Sequence, residues 1–300
     1  MIFSIRYDKL KVNFKDVRVR ERFMNGFEKI IYSIQAELAE TPMPFGLFHL
    51  TSFALTILLT VFLCVKFKNA DKKAQRKLLL VASLIMLFFE VYKQTVFSFS
   101  YDGEKAVWDY QWYAFPFQFC STPMYIMFIA SFTKNEKIFD ALSAYIASFT
   151  LFAGLCVMVY PNTVYIRMIG IDVQTMLHHG FMVVFGTLMI VINRKRLNVK
   201  FFMKGVAVFV SLVGVALILD MTVPAHINGE TFNMFFISPK FDCSIPILDI
   251  IYTNVPYPVF LASYLFGFSF CAFIILGIGK GITYYVLKSK KYIFKKSYAK

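Results

Sequence analysis

The chain repeatedly runs for about 20 residues on apolar side chains, the length that carries an α-helix across a hydrocarbon core of roughly 30 Å. Seven such stretches stand out, at about 46–66, 78–99, 114–133, 139–160, 174–193, 201–220 and 257–280. Backbone in lipid finds no water to bond, so each stretch has to satisfy its own N–H and C=O groups as a helix. With 58% hydrophobic residues over 300 positions, the chain has too little polar surface for a soluble domain of that size. The expected fold is all-α: a polytopic membrane helix bundle with seven transmembrane helices.

Seven crossings put the two ends of the bundle's chain on opposite sides. The connections after the first, third and fifth stretches are basic, with Lys66, Lys68, Lys72, Lys73, Arg76 and Lys77, then Lys134 and Lys137, then Arg194, Lys195, Arg196 and Lys200. The tail KSKKYIFKKSYAK is basic too, whereas the other connections hold only Lys105, Arg167 and Lys240. Cytoplasmic loops are the ones that collect Lys and Arg, so the expected orientation is N-out, C-in. The net charge of +14 is thereby a membrane feature, with membrane lipids as the expected partners and no nucleic acid implied.

The first forty residues hold eight Lys or Arg and oppose that orientation. Phe23, Phe27, Ile30, Ile34 and Leu38 recur at helical spacing among these charges, and Pro42 and Pro44 end the pattern. This is the mark of an amphipathic helix lying in the interface. It lacks the small-residue cleavage site of a signal peptide. The expected organisation is an interfacial segment at 1–44, a transmembrane domain at 45–287 and a basic cytoplasmic tail at 288–300. Richness in Lys, Ile, Phe and Tyr points to a low-GC bacterium, and hence to its plasma membrane.

Ionisable groups are expensive in hydrocarbon, so those present face the bundle interior or a water-filled cavity. His49 lies about one turn below the outer end of the first stretch. Glu90, Lys93 and Gln94 share one face of the second, by their i, i+3, i+4 spacing. Gln118, Cys120 and Ser121 enter from the third, and His178 and His179 from the fifth. Asn233, Asp249 and His226 lie in the long connection before the last stretch. The opposite halves of the helices are nearly pure Leu, Val, Ile, Phe and Met. Polar groups from distant parts of the chain thus converge at one outer-leaflet depth.

Cys64, Cys120, Cys156, Cys243 and Cys271 form no CxxC pair, which speaks against a disulfide framework and a thiolate zinc site. Cys64, Cys156 and Cys271 lie among Leu, Val and Phe and read as small apolar filling. Cys120 has a different company. A thiol becomes a nucleophile beside a base or a positive field, and a histidine from the fifth stretch would supply the base if the third and fifth helices touch. His178 and His179 differ by roughly 100° around a helix, so only one need face inward. Lys93 could stabilise the thiolate or bind a lipid phosphate, and Glu90 could orient the histidine or Lys93.

At these residues the chain resembles the YwaF-like integral membrane family of bacteria, whose eukaryotic relative is a multi-pass protein regarded as a cysteine-dependent acyltransferase of phospholipids. The resemblance rests on FGLFHL at 45–50, FEVYKQ at 89–94, FPFQFCSTPMY at 115–125, IDVQTMLHHGFMV at 171–183, FNMFFISP at 232–239 and VPYPVF at 255–260. Their order and spacing carry it. It implies a seven-helix fold with Cys120 as nucleophile and His179 as base. Many members have a histidine two residues before the cysteine, where this chain has Gln118.

Two other readings stay open. One is a metal-dependent membrane hydrolase with His49, His179, Glu90 or Asp249 as ligands, although no i, i+4 ligand spacing recurs among them. The other is a small-molecule carrier or sensor, although no internal repeat of the transporter kind is present. The residue pattern implies no cofactor and no metal.

Overall fold

The computed structural model describes residues 25–101, 105–227 and 230–297. In chain order its helices and strands are α1 (Gly26–Ile34), α2 (Leu47–Phe67), α3 (Lys72–Val96), β1 (Phe99–Tyr101), β2 (Ala106–Trp108), α4 (Thr122–Phe132), α5 (Glu136–Val159), α6 (Ile169–Ile192), α7 (Val199–Thr222), α8 (Leu248–Asn254) and α9 (Tyr257–Ser297). Six of these helices, α2, α3, α5, α6, α7 and the first part of α9, are long and apolar enough to cross a membrane. Helices α5 and α6 are buried over most of their apolar length, whereas α2, α7 and α9 keep most of theirs exposed. A helix that is apolar all round belongs in the middle of a bundle or against lipid. Here α5 and α6 take the first role and the outer helices the second.

Small residues let the inner helices meet. A side chain at Gly154 would press on Met182 Cβ at 2.8 Å and on the His179 carbonyl at 3.0 Å, and one at Gly186 would meet Leu151 Cβ at 2.6 Å. Such glycines allow backbones to approach where no hydrophobic drive separates helix from lipid. Just before these contact points α5 takes one π-helical turn, Ile146–Thr150. Rings then fill the centre, with Phe149 stacked on Phe209 at 4.5 Å and Tyr264 on Phe268 at 4.3 Å.

The basic ends of the helices gather at one end of the bundle. Arg194 reaches the Lys68 carbonyl and Asn69, while Arg76 holds the Thr133 carbonyl and Glu136. Asp140 takes Lys72 at 2.9 Å, Lys204 at 3.6 Å and Arg196. Helices α3, α5 and α7 all start here, each capped by a side chain of the preceding residue: Asp71, Asn135 and Asn198. At the other end, the β1–β2 hairpin, the start of α6 and the N-terminal segment lie together. Gln35 donates to the Val96 and Phe99 carbonyls, and Leu38 donates to the Arg167 carbonyl.

Two expected elements differ in extent. The amphipathic pattern 23–38 becomes a helix only from Gly26 to Ile34, opened by a capping box in which Asn25 and Glu28 bond each other's backbone N–H. Beyond it the chain extends, Glu37 bridging Met168, so Leu38 serves a tertiary contact rather than a helix face. Phe23 lies outside the described residues. The apolar stretch 114–133 is helical only at Thr122–Phe132, 11 residues. Its first part is a 3₁₀ turn, Trp112–Ala114, followed by irregular chain through Ser121. Pro116 cannot donate to a helix, and Pro123 favours the first turn of one rather than its interior, so the helix starts late.

Candidate functional site

Cys120 sits in the tight turn that launches α4. Ser121 and Thr122 donate their N–H groups to the Gln118 carbonyl at 2.8 and 3.1 Å, which folds the chain sharply just before the helix. The cysteine is half-buried and lies two residues before the first residue of α4. Thr122, one residue into α4, bonds Tyr145 of α5 through its hydroxyl at 3.0 Å.

Both histidines of α6 are buried, and their rings have different partners. His178 donates from Nε2 to the backbone carbonyl of Cys120 at 2.9 Å, which ties α6 to the Cys120 turn. His179 donates from Nδ1 to the Thr175 carbonyl of its own helix at 2.7 Å. A ring that donates from one nitrogen and is neutral carries a lone pair on the other. Those atoms, His178 Nδ1 and His179 Nε2, are buried and have no protein partner among the described residues.

The α3 cluster lies beside them. Glu90 Oε1 accepts from Lys93 at 2.8 Å and from Gln94 at 2.8 Å, while Glu90 Oε2 is buried with no partner among the described residues. Gln94 also donates to the Ala114 carbonyl and accepts from Tyr110 at 2.7 Å. Burial, helped by the Glu90 carboxylate, pushes the Tyr110 hydroxyl up to about 12, so it stays a donor. The bond from His178 joins α6 to the Cys120 turn, and the bond from Gln94 to the Ala114 carbonyl joins α3 to the segment that leads into it.

Gln118 has a different task from the one its place in the motif suggests. Its Nε2 donates to the Asn233 carbonyl at 3.0 Å and its Oε1 accepts from Phe235 N–H at 3.1 Å. Both halves of the carboxamide are spent on holding segment 232–239 inside the bundle. Asn233 is likewise occupied, accepting from Ser238 N–H at 2.8 Å and donating to the Asp242 carbonyl at 3.1 Å. Phe232, Phe235 and Ile237 are fully buried, so the connection expected outside is a plug packed on Phe119, the residue before Cys120. Phe235 and Phe236 have left-handed backbone, at φ 57° each, a strained conformation for bulky residues that the surrounding bonds hold.

A model of the TMEM164 family, a multi-pass membrane family, matches residues 44–280. The chain belongs to the TMEM164 family. No curated protein and no solved structure matches it. The matched region of this TMEM164-family protein runs from the residues before α2 into α9 and contains Cys120, the two histidines, the α3 cluster and the plug.

Two sequence candidates leave the site. His49 of the TMEM164-family chain accepts from Phe45 N–H on Nδ1 at 2.9 Å and donates from Nε2 to the Met158 carbonyl at 2.9 Å, so both nitrogens serve to tie α2 to the end of α5. Asp249 is exposed on α8, its Oδ1 bonded to Ile250 N–H. A metal site built on His49, His179, Glu90 and Asp249 is therefore not assembled, and no group of three metal-ligating side chains occurs among the described residues. His226 lies in a 3₁₀ turn after α7, away from the interior. Cys243 is buried in the connection after α7.

Sequence reasoning passed over Asp220 and Tyr264. Asp220 Oδ1 accepts from Met234 N–H at 2.7 Å and pins the plug from the α7 side, opposite Gln118. Its other oxygen and the Tyr264 hydroxyl are fully buried and have no partner among the described residues. A lone carboxylate in the last turn of an apolar stretch was the available signal. Asp172, a buried carboxylate in the first turn of α6, accepts from the Ile166 N–H at 2.9 Å.

Proposed function

We propose that this TMEM164-family protein transfers or hydrolyses the acyl chains of membrane phospholipids, with Cys120 as nucleophile and His179 as base. The observation that carries this reading is the bond from His178 to the Cys120 carbonyl, which brings the histidine pair of α6 onto the cysteine turn. His179, oriented through Nδ1, keeps Nε2 free to take a proton, the arrangement a general base needs. Gln118 is committed to the plug and is no base, so the proton acceptor has to come from α6. The resemblance of FPFQFCSTPMY and IDVQTMLHHGFMV to the YwaF-like group supports the same roles.

In the proposed reaction His179 Nε2 takes the Cys120 thiol proton and the thiolate attacks the ester carbonyl of a phospholipid. The S–C bond forms and the ester C–O bond breaks, with His179 returning the proton to the departing lysolipid oxygen. A second hydroxyl, from an acceptor lipid or water, then gives its proton to His179 and attacks the thioester, releasing the thiol. Lys93 has donors left over from its bond to Glu90, and it meets the phosphate or the developing oxyanion. His178 positions the cysteine turn.

The membrane is the bacterial plasma membrane, crossed seven times with N-out, C-in orientation. The third crossing is made by the irregular segment after Trp112 together with α4. Non-helical backbone at membrane depth is tolerated where protein covers it, and Phe115, Phe117 and Phe119 are packed against the plug.

Reconstituted protein incubated with phospholipid carrying a labelled acyl chain tests the chemistry. Wild type accumulates a hydroxylamine-labile acyl adduct, Cys120→Ser gives none of it, and His179→Phe slows its formation by about 10²–10⁴-fold. Absence of an adduct on wild type, with unchanged membrane lipids when Cys120 is replaced, would overturn the assignment.

A further inference from the structure

Helices α2 and α3 are joined by only Lys68–Asp71, and neighbours so closely linked normally pack side by side. Here each leans on α6 instead of on the other. The wedge left between them is a cavity of about 390 Å³ with almost wholly apolar walls. Leu63 lines it from α2 and Leu78 from α3, while Phe181 and Phe185 of α6 make its floor. That volume lies within the range of small-molecule sites, roughly 300–1,000 Å³.

The wedge is at the basic end of the bundle, reaching Phe67 and Ala74 beside the α2–α3 turn, and so is removed along the helices from Glu90 and Lys93. Lys77 lines its rim, is exposed, and has no ion pair or hydrogen bond among the described residues. Two of its basic neighbours are committed elsewhere, Lys72 to Glu136 and Asp140 and Arg76 to Glu136, whereas Lys73, one turn before Lys77 on α3, does not line the slot. A free ammonium over an apolar slot matches one kind of occupant, an anionic headgroup above a hydrocarbon chain.

We infer that the α2–α3–α6 wedge binds one acyl chain of an anionic phospholipid from the leaflet on the basic side, with Lys77 on its phosphate. The site stands apart from the Cys120 reading and uses none of its residues. The apolar floor accepts the chain, and the rim selects the charge. A phospholipid without net charge fits the slot but gains less at Lys77.

The test uses full-length protein in nanodiscs holding phosphatidylglycerol or phosphatidylcholine with a photoreactive diazirine in the acyl chain, and maps the cross-linked residues by mass spectrometry. Cross-links concentrate on Leu63, Leu78 and Phe181, and phosphatidylglycerol labels them about five-fold more than phosphatidylcholine, the contribution of one basic residue near a headgroup. Lys77→Gln removes that preference, and Ala74→Phe or Val81→Trp, which fill the slot, abolish the labelling of its walls. Labelling spread equally over exposed α9 residues such as Phe266 and Phe270 would mean annular lipid only and would overturn the site. A preference that survives Lys77→Gln would overturn the headgroup assignment, and wedge residues left unlabelled in nanodiscs that hold two protein chains would make the occupant a second copy.

Discussion

Gln118 illustrates how one side chain serves the site without taking part in chemistry. Its carboxamide satisfies one N–H and one carbonyl of a segment that is buried among rings, where an unpaired backbone group costs about 1–3 kcal/mol. Gln118→Ala should lower the melting temperature in detergent and loosen the plug, seen as faster proteolysis between Phe232 and Pro239. An unchanged melting temperature would show that the plug is held elsewhere, by Asp220 and Asn233. That Glu90, His178 and His179 would be buried within the bundle was legible from their spacing and the cost of exposing such groups to lipid. Their individual duties were not. Nothing in the chain's order says that Asn233 and His49 have every polar atom spent on backbone, because those partners lie four to more than one hundred positions away.

Among the elements, the α5–α6 crossing sets how closely the helix that carries the histidine pair packs on its neighbour. Gly154 allows it, since a Cβ there would lie 3.0 Å from the His179 carbonyl and from Val183 N. Gly154→Ala should destabilise the fold by about 1–3 kcal/mol through overpacking. Gly214→Ala on α7, where nothing lies within 4 Å, should leave the melting temperature unchanged or raise it slightly. Equal effects at the two positions would remove the crossing as the reason for the glycine. The apolar period located the long helices but could not separate 114–133 from them, because its composition matches theirs. What differs there is local: two prolines and a turn closed by backbone bonds to the Gln118 carbonyl, so the helix is short and the cysteine precedes it.

At the scale of the whole molecule, the proposed orientation places the α2–α3 turn inside and the loop after the hairpin outside. In a cysteine-free background, a membrane-impermeant maleimide applied to intact cells should label Asp109→Cys and spare Asn69→Cys until the membrane is opened. The opposite pattern would invert the topology. The sequence by itself determined the solvent and the class of fold, since long apolar runs with basic connections have few stable forms other than membrane helices. Only the tertiary structure decided which helix packs on which, that segment 232–239 turns inward, and that His178 rather than His179 holds the Cys120 carbonyl. The physical reason is that hydropathy is a property of each residue with its solvent. Hydrogen-bond partnership and close approach are properties of pairs, and the pairs exist only once the helices have packed.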